Sequence, residues 1–417
     1  MQVAEKPTKA PEKKRRFRFP LGSALRDLDI NTRLLGMVVS LVVIWVGMHI
    51  LSGGTFLRPR NLFNLSLQTS VVAIMATGMV LVIVSRNIDL SVGSVLGAVG
   101  MAMALVQAEI LPDMIGFDHP ATWIITLVVG LVLGAAIGGF HGFIIAYVGV
   151  PSFIVTLGGL LVWRGVAWAL SSGRTIAPMD STFQLIGGGS RGTLGATASW
   201  AVAGVACLAI VTGILMRRRQ RRAFGFKIRP KWADAVLAGV GCGSAVGAAW
   251  VMNSNYVFDV PVGIANPVLL TIGVALVMTF IATRRSFGRY VFAIGGNPEA
   301  AELGGIKTRW TIMKTFILMG VLVGLAAAVS IARLNAAVTG QGQLSELYVI
   351  AAAVIGGASL SGGIGTVSGA VLGALIMQSL QSGMVLMGVD APLQDIVVGI
   401  VLVVAVAIDT IYRRRAT

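Results

Sequence analysis

Residues 65–84 read LSLQTSVVAIMATGMVLVIV, twenty positions without a charge. As a helix this stretch is long enough to cross the ~30 Å hydrocarbon core of a bilayer. Working outward, similar runs occupy 34–51, 91–109, 121–146, 151–170, 194–216, 233–252, 267–283, 311–330, 364–384 and 393–412, with a shorter one at 346–357. Composition agrees: 56% of the 417 residues are hydrophobic and 12% charged, against a soluble norm of ~25% charged. The 53 glycines suit membrane helices that pack through small residues. The expected fold is all-α and polytopic, with about ten to twelve transmembrane helices.

The formal net charge of +16 does not indicate a nucleic-acid partner, because the basic residues lie in clusters between apolar runs rather than on the face of a soluble fold. Nine of the 33 Lys and Arg fall in residues 1–33, eight in 217–231, six in 284–314 and three at 413–415. With the amino terminus inside, all four clusters fall on the inside, and loops 110–120 and 253–266 carry no Lys or Arg. The positive-inside rule makes that side cytoplasmic. The chain divides into a basic amino-terminal segment 1–33, a membrane domain 34–412 with basic loops 217–231 and 284–314, and a tail 413–417. Both termini are expected in the cytoplasm. Span 34–51 reads as a retained helix without a cleavage site. Cys207 and Cys242 sit in apolar runs, as small hydrophobes.

Several chemistries are missing. The chain has no Gly-Lys dipeptide, hence no Walker A phosphate loop, so ATP hydrolysis has to take place on another polypeptide. His49, His119 and His141 are scattered without carboxylates at ligand spacing, so no metal, cofactor or catalytic residue is expected. Gly187, Gly189 and Gly192 match a dinucleotide-binding spacing, but they fall in a Gly/Ser-rich loop, 171–193, that reads as flexible.

The polar segment 284–314 has its own logic. Its centre, residues 295–305, reads GGNPEAAELGG. Asn297 suits an N-cap and Pro298 the first helical position. Glu299 then lies where the helix dipole favours an anion, and Gly304 or Gly305 can end the helix in a left-handed conformation. The expectation is a two-turn amphipathic helix on the basic side of the membrane, shaped to be gripped by a cytoplasmic partner.

Glu299, Ala300 and Ala301 followed by Gly305 resemble the EAA loop of ATP-binding cassette importer permeases, without its Ile-x-Leu-Pro ending. Residues 87–94, NIDLSVGS, are similar to a signature of the monosaccharide branch, as are 149–158, GVPSFIVTLG, the segment Ser171 to Ile176, and 350–365. The additional span pair around 217–231 and the phrase FGRYVFAIGGN, 287–297, are similar to the xylose group within that branch. The resemblance implies a permease subunit that carries no enzyme activity. Asn297, Pro298, Glu299, Ala300, Ala301, Gly304 and Gly305 would dock on a cytoplasmic ATP-binding cassette protein. A periplasmic sugar-binding protein would deliver the substrate, two permease copies would flank one passage, and the assembly would reside in the bacterial inner membrane. Ribose, galactose, a nucleoside or a branched-chain amino acid as cargo, and transport driven by an ion gradient, are the alternatives.

Polar residues in apolar surroundings are candidates for the passage, since ionisable groups at membrane depth usually face a cavity or partner. Asp89 and Ser91 can line the path or cap the helix that follows. Glu346, followed by a small-residue run, echoes Asp89, and the two are expected on opposite sides of the membrane, as an inverted repeat of about five helices produces. Asn335 and Gln341 lie near the outer end of the ninth span. Arg164, between Trp163 and Trp168, either snorkels beside an aromatic belt or contacts substrate.

Overall fold

Apolar runs bounded by proline, glycine and charge become helices in the computed structural model, which describes residues 32–414 apart from Ser190, Lys227, Phe258 and Asp259. In chain order they are α1 (Thr32–Leu51), α2 (Pro59–Val84), α3 (Val92–Ile115), α4 (Thr122–Val148), α5 (Ser152–Ser171), α6 (Gly195–Ala223) and α7 (Lys231–Asn253). There follow α8 (Asn266–Arg284), α9 (Ser286–Gly296), α10 (Pro298–Leu303), α11 (Thr308–Leu334), α12 (Ser345–Ile355), α13 (Val367–Leu386) and α14 (Ala391–Arg414). A two-stranded antiparallel hairpin, β1 (Tyr256–Val257) with β2 (Val260–Pro261), joins α7 to α8. Ten helices among the described residues are long and apolar enough to cross a membrane, and the apolar parts of α12 and α14 are shorter. Of segment 1–33 only Thr32 and Arg33, and of tail 413–417 only Arg413 and Arg414, lie within the described residues.

The helix ends differ from the hydropathy boundaries wherever polar residues continue a helix. Pro59, at the first helical position, starts α2 six residues before the apolar run. Five arginines extend α6 to Ala223, because arginine is a good helix former. Loop 110–120 is likewise shorter than expected, since a π turn at Val106–Ile110 carries α3 on to Ile115.

The core is centred on α2, most of whose residues from Leu62 to Val84 are buried. Around it pack α11, α13, α8 and α12. The closest seam joins α4 to α11, where Gly134 lies against the backbone of Gly320, and Gly324 against that of Gly130. A methyl group at Gly134, Gly320 or Gly324 would collide with the opposite carbonyl, so small residues set the interhelical distance. By contrast, α1, α6 and α7 are largely exposed along their length, as expected for helices whose outer faces meet lipid. Cys207 and Cys242 face one another across the α6–α7 seam as free thiols.

The expected flexible loop 171–193 is instead an ordered cover. Ile176 bridges Ala337, Asp180 caps a short helix at Ser181–Gln184, and Phe183 is fully buried. Gly187 lies against the backbone of Ala332 and Arg333 at the end of α11. The glycines permit close approach here; they do not confer looseness.

Candidate functional site

Segment 295–305 forms as its local chemistry requires. Asn297 is extended and its Oδ1 accepts the Ala300 amide at 3.0 Å, satisfying a first-turn donor of α10. At the other end Gly305 adopts φ +81°, the Gly304 amide donates to Ala300 O at 2.9 Å, and the Ile306 amide to Ala301 O at 3.1 Å. Gly305, not Gly304, is the left-handed residue. Ala301 is buried against the rest of the protein, whereas Glu299, Ala300 and Glu302 are exposed and Leu303 is 90% exposed. Leu303 is not legible in the sequence, because a single leucine beside two glycines carries no periodicity.

α10 does not stand alone. The preceding α9 buries Gly288, Val291, Ile294 and Gly295 on one face, and its last carbonyls are held from a distant part of the chain. Arg86 Nε donates to Gly295 O and Arg86 Nη2 to Gly296 O, both at 2.7 Å. Charged donors on the free carbonyls of a helix end are favourable partners. Arg86 itself has φ +65°, two residues after the end of α2 and immediately before the signature segment 87–94 that contains Asp89. The Gly363 amide donates to Val84 O at 2.9 Å, so the ends of α2 and α9 and the loop after α12 meet at the basic end of the bundle.

From there the chain climbs inward to a buried polar junction. The Ile88 carbonyl accepts Thr156 Oγ1 at 3.3 Å and its amide donates to Ser152 Oγ at 3.3 Å, so the first turn of α5 clasps the rising segment. Asp89 Oδ1 accepts both the Ser91 amide at 2.9 Å and Ser91 Oγ at 2.6 Å. Ser91 Oγ lies 3.3 Å from His141 Nδ1 on α4, and Trp163 Nε1 on α5 donates to His141 Nε2 at 3.0 Å. One tautomer satisfies the whole chain: the imidazole carries its hydrogen on Nδ1 and donates to Ser91, which donates to Asp89. Ser91 precedes α3 but its side chain caps nothing there; it is spent on the carboxylate. Trp163 also departs from expectation, pointing to His141 instead of standing in an aromatic belt. Arg164 beside it is half-buried.

Glu346 meets this junction from the other direction. A Cβ at Gly93 would overlap the Glu346 carboxylate and the Gly342 carbonyl, and one at Gly97 would press on Gln341 O at 2.7 Å. The starts of α3 and α12 are therefore neighbours, not separated by the membrane as expected. The reason is length: α12 has 11 residues, about 16 Å of helix, and ends at the loop bound to Val84. Its first turn thus begins roughly halfway through a ~30 Å core. Glu346 is 3% exposed, and its Oε2, like Gln341 Oε1 and Ser94 Oγ, is buried without a protein partner. Gln341 Nε2 donates to Ser330 Oγ at 2.7 Å.

Asn335 belongs elsewhere. It ends α11 at φ +53° and its Oδ1 accepts the Met179 amide at 2.9 Å, so it anchors the ordered cover. In the same cover the Ser181 amide, donating at 2.9 Å, holds the exposed Asp118 carboxyl below the usual carboxylate range, while burial pushes Asp180 up. Of the five candidate path residues, Asp89 and Ser91 join His141 and Trp163 in one hydrogen-bonded chain, while Gln341 and Glu346 pack against the following turns of α3 at Gly97 and Gly93.

Comparison with known proteins agrees over nearly the whole chain. The family described as the permease component of branched-chain amino acid transport systems matches residues 61–406. The xylose transport system permease protein XylH of Escherichia coli strain K12 is 38% identical over 93% of this chain and 94% of its own length. XylH of Haemophilus influenzae is 38% identical over 93% of this chain and 98% of its own length. The ribose import permease protein RbsC of Escherichia coli strain K12 is 32% identical over 85% and 87%. No solved structure matches the chain. An all-helical membrane bundle with a family match from the second helix to the last identifies the chain as a member of this transport-system permease family.

Proposed function

We propose that this chain is the membrane permease of an ATP-binding cassette importer for D-xylose, working in the bacterial inner membrane. The observation that carries the reading is α10, a capped helix with Leu303 and two glutamates turned outward at the basic end of the bundle. Likeness to XylH along most of the chain favours the pentose as cargo. A cytoplasmic ATP-binding protein grips α10, a periplasmic binding protein delivers the sugar, and a second copy of the chain completes the passage. Both termini and all four basic clusters face the cytoplasm.

The residues suggest how movement of α10 reaches the membrane interior. α10 follows α9 after the single extended residue Asn297, Arg86 ties α9 to the start of the signature segment, and that segment carries Asp89 and Ser91. Closure of the ATP-binding proteins favours one of two arrangements of this linkage, which is all that binding energy can do. Asp89, Ser91, Gln341 and Glu346 lie beside the passage, where the starts of α3 and α12 meet near mid-depth. The unpartnered oxygens there supply acceptors for a hydroxylated solute.

The test is a Glu299→Lys, Gly305→Val double variant assayed with its ATP-binding and sugar-binding partners in vesicles. Insertion should be normal, ATP hydrolysis should no longer respond to xylose-loaded binding protein, and uptake should be lost. Full xylose accumulation by the double variant refutes the coupling role. Uptake of ribose, galactose or leucine in preference to xylose by the unaltered protein refutes the cargo.

A further inference from the structure

The α6–α7 hairpin takes no part in the linkage above. Its attachments to the bundle gather at the end away from the basic loop: Ser199 Oγ accepts the Ile264 amide at 2.8 Å, the Leu194 amide donates to Ile264 O at 3.0 Å, and Val251 and Met252 pack on residues of α2. At the other end α6 runs on. Its 29 residues make about 43 Å of helix, roughly 13 Å more than the hydrocarbon core needs.

The overhang is arginine. Residues 217–234 hold eight basic residues and one acid, Asp234. That acid is already engaged, since Arg218 pairs with it and also donates to Arg229 O at 3.3 Å. Arg217, Arg219, Arg222 and Lys231 are exposed. Among them stand three exposed aromatic side chains, Phe224 at 76%, Phe226 at 66% and Trp232 at 45%. Water penalises such rings, whereas the boundary between headgroups and acyl chains accommodates both rings and guanidinium groups.

We propose that this loop is a binding site for anionic phospholipid of the inner leaflet, with Arg217, Arg219, Arg222 and Lys231 holding the phosphates and Phe224, Phe226 and Trp232 entering the interface. Guanidinium groups bind phosphate through paired N–H donors. Clusters of this size just beyond a membrane helix are attracted to acidic headgroups. The hairpin is thereby fastened at both ends, by protein at one and by lipid at the other.

The experiment reconstitutes the full chain into phosphatidylcholine vesicles containing cardiolipin, extracts it gently and counts retained lipids by native mass spectrometry. The unaltered chain should retain cardiolipin over phosphatidylcholine. The R217Q/R219Q/R222Q variant should lose that preference about tenfold or more, with an unchanged melting temperature. Raising salt from about 0.1 M to about 1 M, which shortens screening from ~10 Å to ~3 Å, should weaken it too. An F224S/F226S variant should retain less lipid of both kinds. Equal retention of both lipids by the unaltered chain, or an undiminished preference in the triple-arginine variant, overturns the proposal. So does a triple variant that keeps its lipid but no longer binds the cytoplasmic ATP-binding protein, which makes the loop a protein contact.

Discussion

α10 and the central junction are built on opposite plans. α10 is a six-residue helix shaped by its own caps, with most of its side chains turned outward. The junction has almost no local order of its own; Asp89, Ser91, His141 and Trp163 come from separated segments joined by hydrogen bonds, and Glu346 is packed beside them against Gly93 by burial alone. An exposed element shaped by its own sequence can change side chains without unfolding the protein, so its defects should appear as lost coupling. A buried junction lacks that freedom, and its defects should appear first as lost stability. Gly93→Leu puts this contrast to its hardest test. Its side chain would have to displace the Gly342 backbone and the Glu346 carboxylate, and overpacking against backbone costs about 3 kcal/mol or more. The variant should accumulate poorly, melt early in detergent and transport nothing. A Gly93→Leu protein as stable as the parent would show that the junction is loose and erase the contrast.

Arg86 is where the two plans meet, and Arg86→Ala should produce an intermediate result. Two charge-assisted hydrogen bonds to Gly295 and Gly296 would be lost, but Arg86 is exposed, so water replaces part of what the bonds supply. Melting should fall by only a few degrees, the equivalent of about 1 kcal/mol. Uptake should fall more than stability, with ATP hydrolysis continuing. If stability and uptake fall together, Arg86 is an ordinary structural contact. Lysine at this position should restore little, because one ammonium group cannot match the spread of two guanidinium donors.

The sequence reveals these regions unequally, for the same physical reason. Hydropathy and capping are properties of neighbours along the chain, so runs such as 65–84 and the caps at Asn297 and Gly305 are legible directly. The pairing of His141 with Trp163 and Ser91 depends on how three helices are rotated, and nothing local records that rotation. Arg86 was hidden for a similar reason: its partners are backbone carbonyls more than two hundred positions away, and a carbonyl has no sequence signature. The path candidates divided along this line. Asp89 and Glu346 stand out because charge in apolar surroundings is conspicuous, but the packing of Glu346 against Gly93 of α3 follows from the shortness of α12, which leaves its first turn inside the bundle. Asn335 was drawn in by proximity in sequence, although its side chain serves the cover.

The smallest expected effect on transport is the most diagnostic of the hydrogen-bond chain. Trp163→Phe keeps one six-membered aromatic ring but removes the Nε1 donor with part of the indole, leaving His141 Nε2 as a buried acceptor with no partner. An unsatisfied buried polar atom costs about 1 to 2 kcal/mol, which should lower the melting temperature by a few degrees while uptake stays near normal. Moving the hydrogen to Nε2 offers no escape, because Nδ1 would then have nothing to give Ser91, whose own hydrogen is committed to Asp89. A Trp163→Phe, His141→Phe double variant separates the bond from the packing. If the chain acts as a unit, the second substitution adds less in the presence of the first than it does alone. Strict additivity would mean that Trp163 and His141 stabilise the junction independently, as packed rings and not as links of one network.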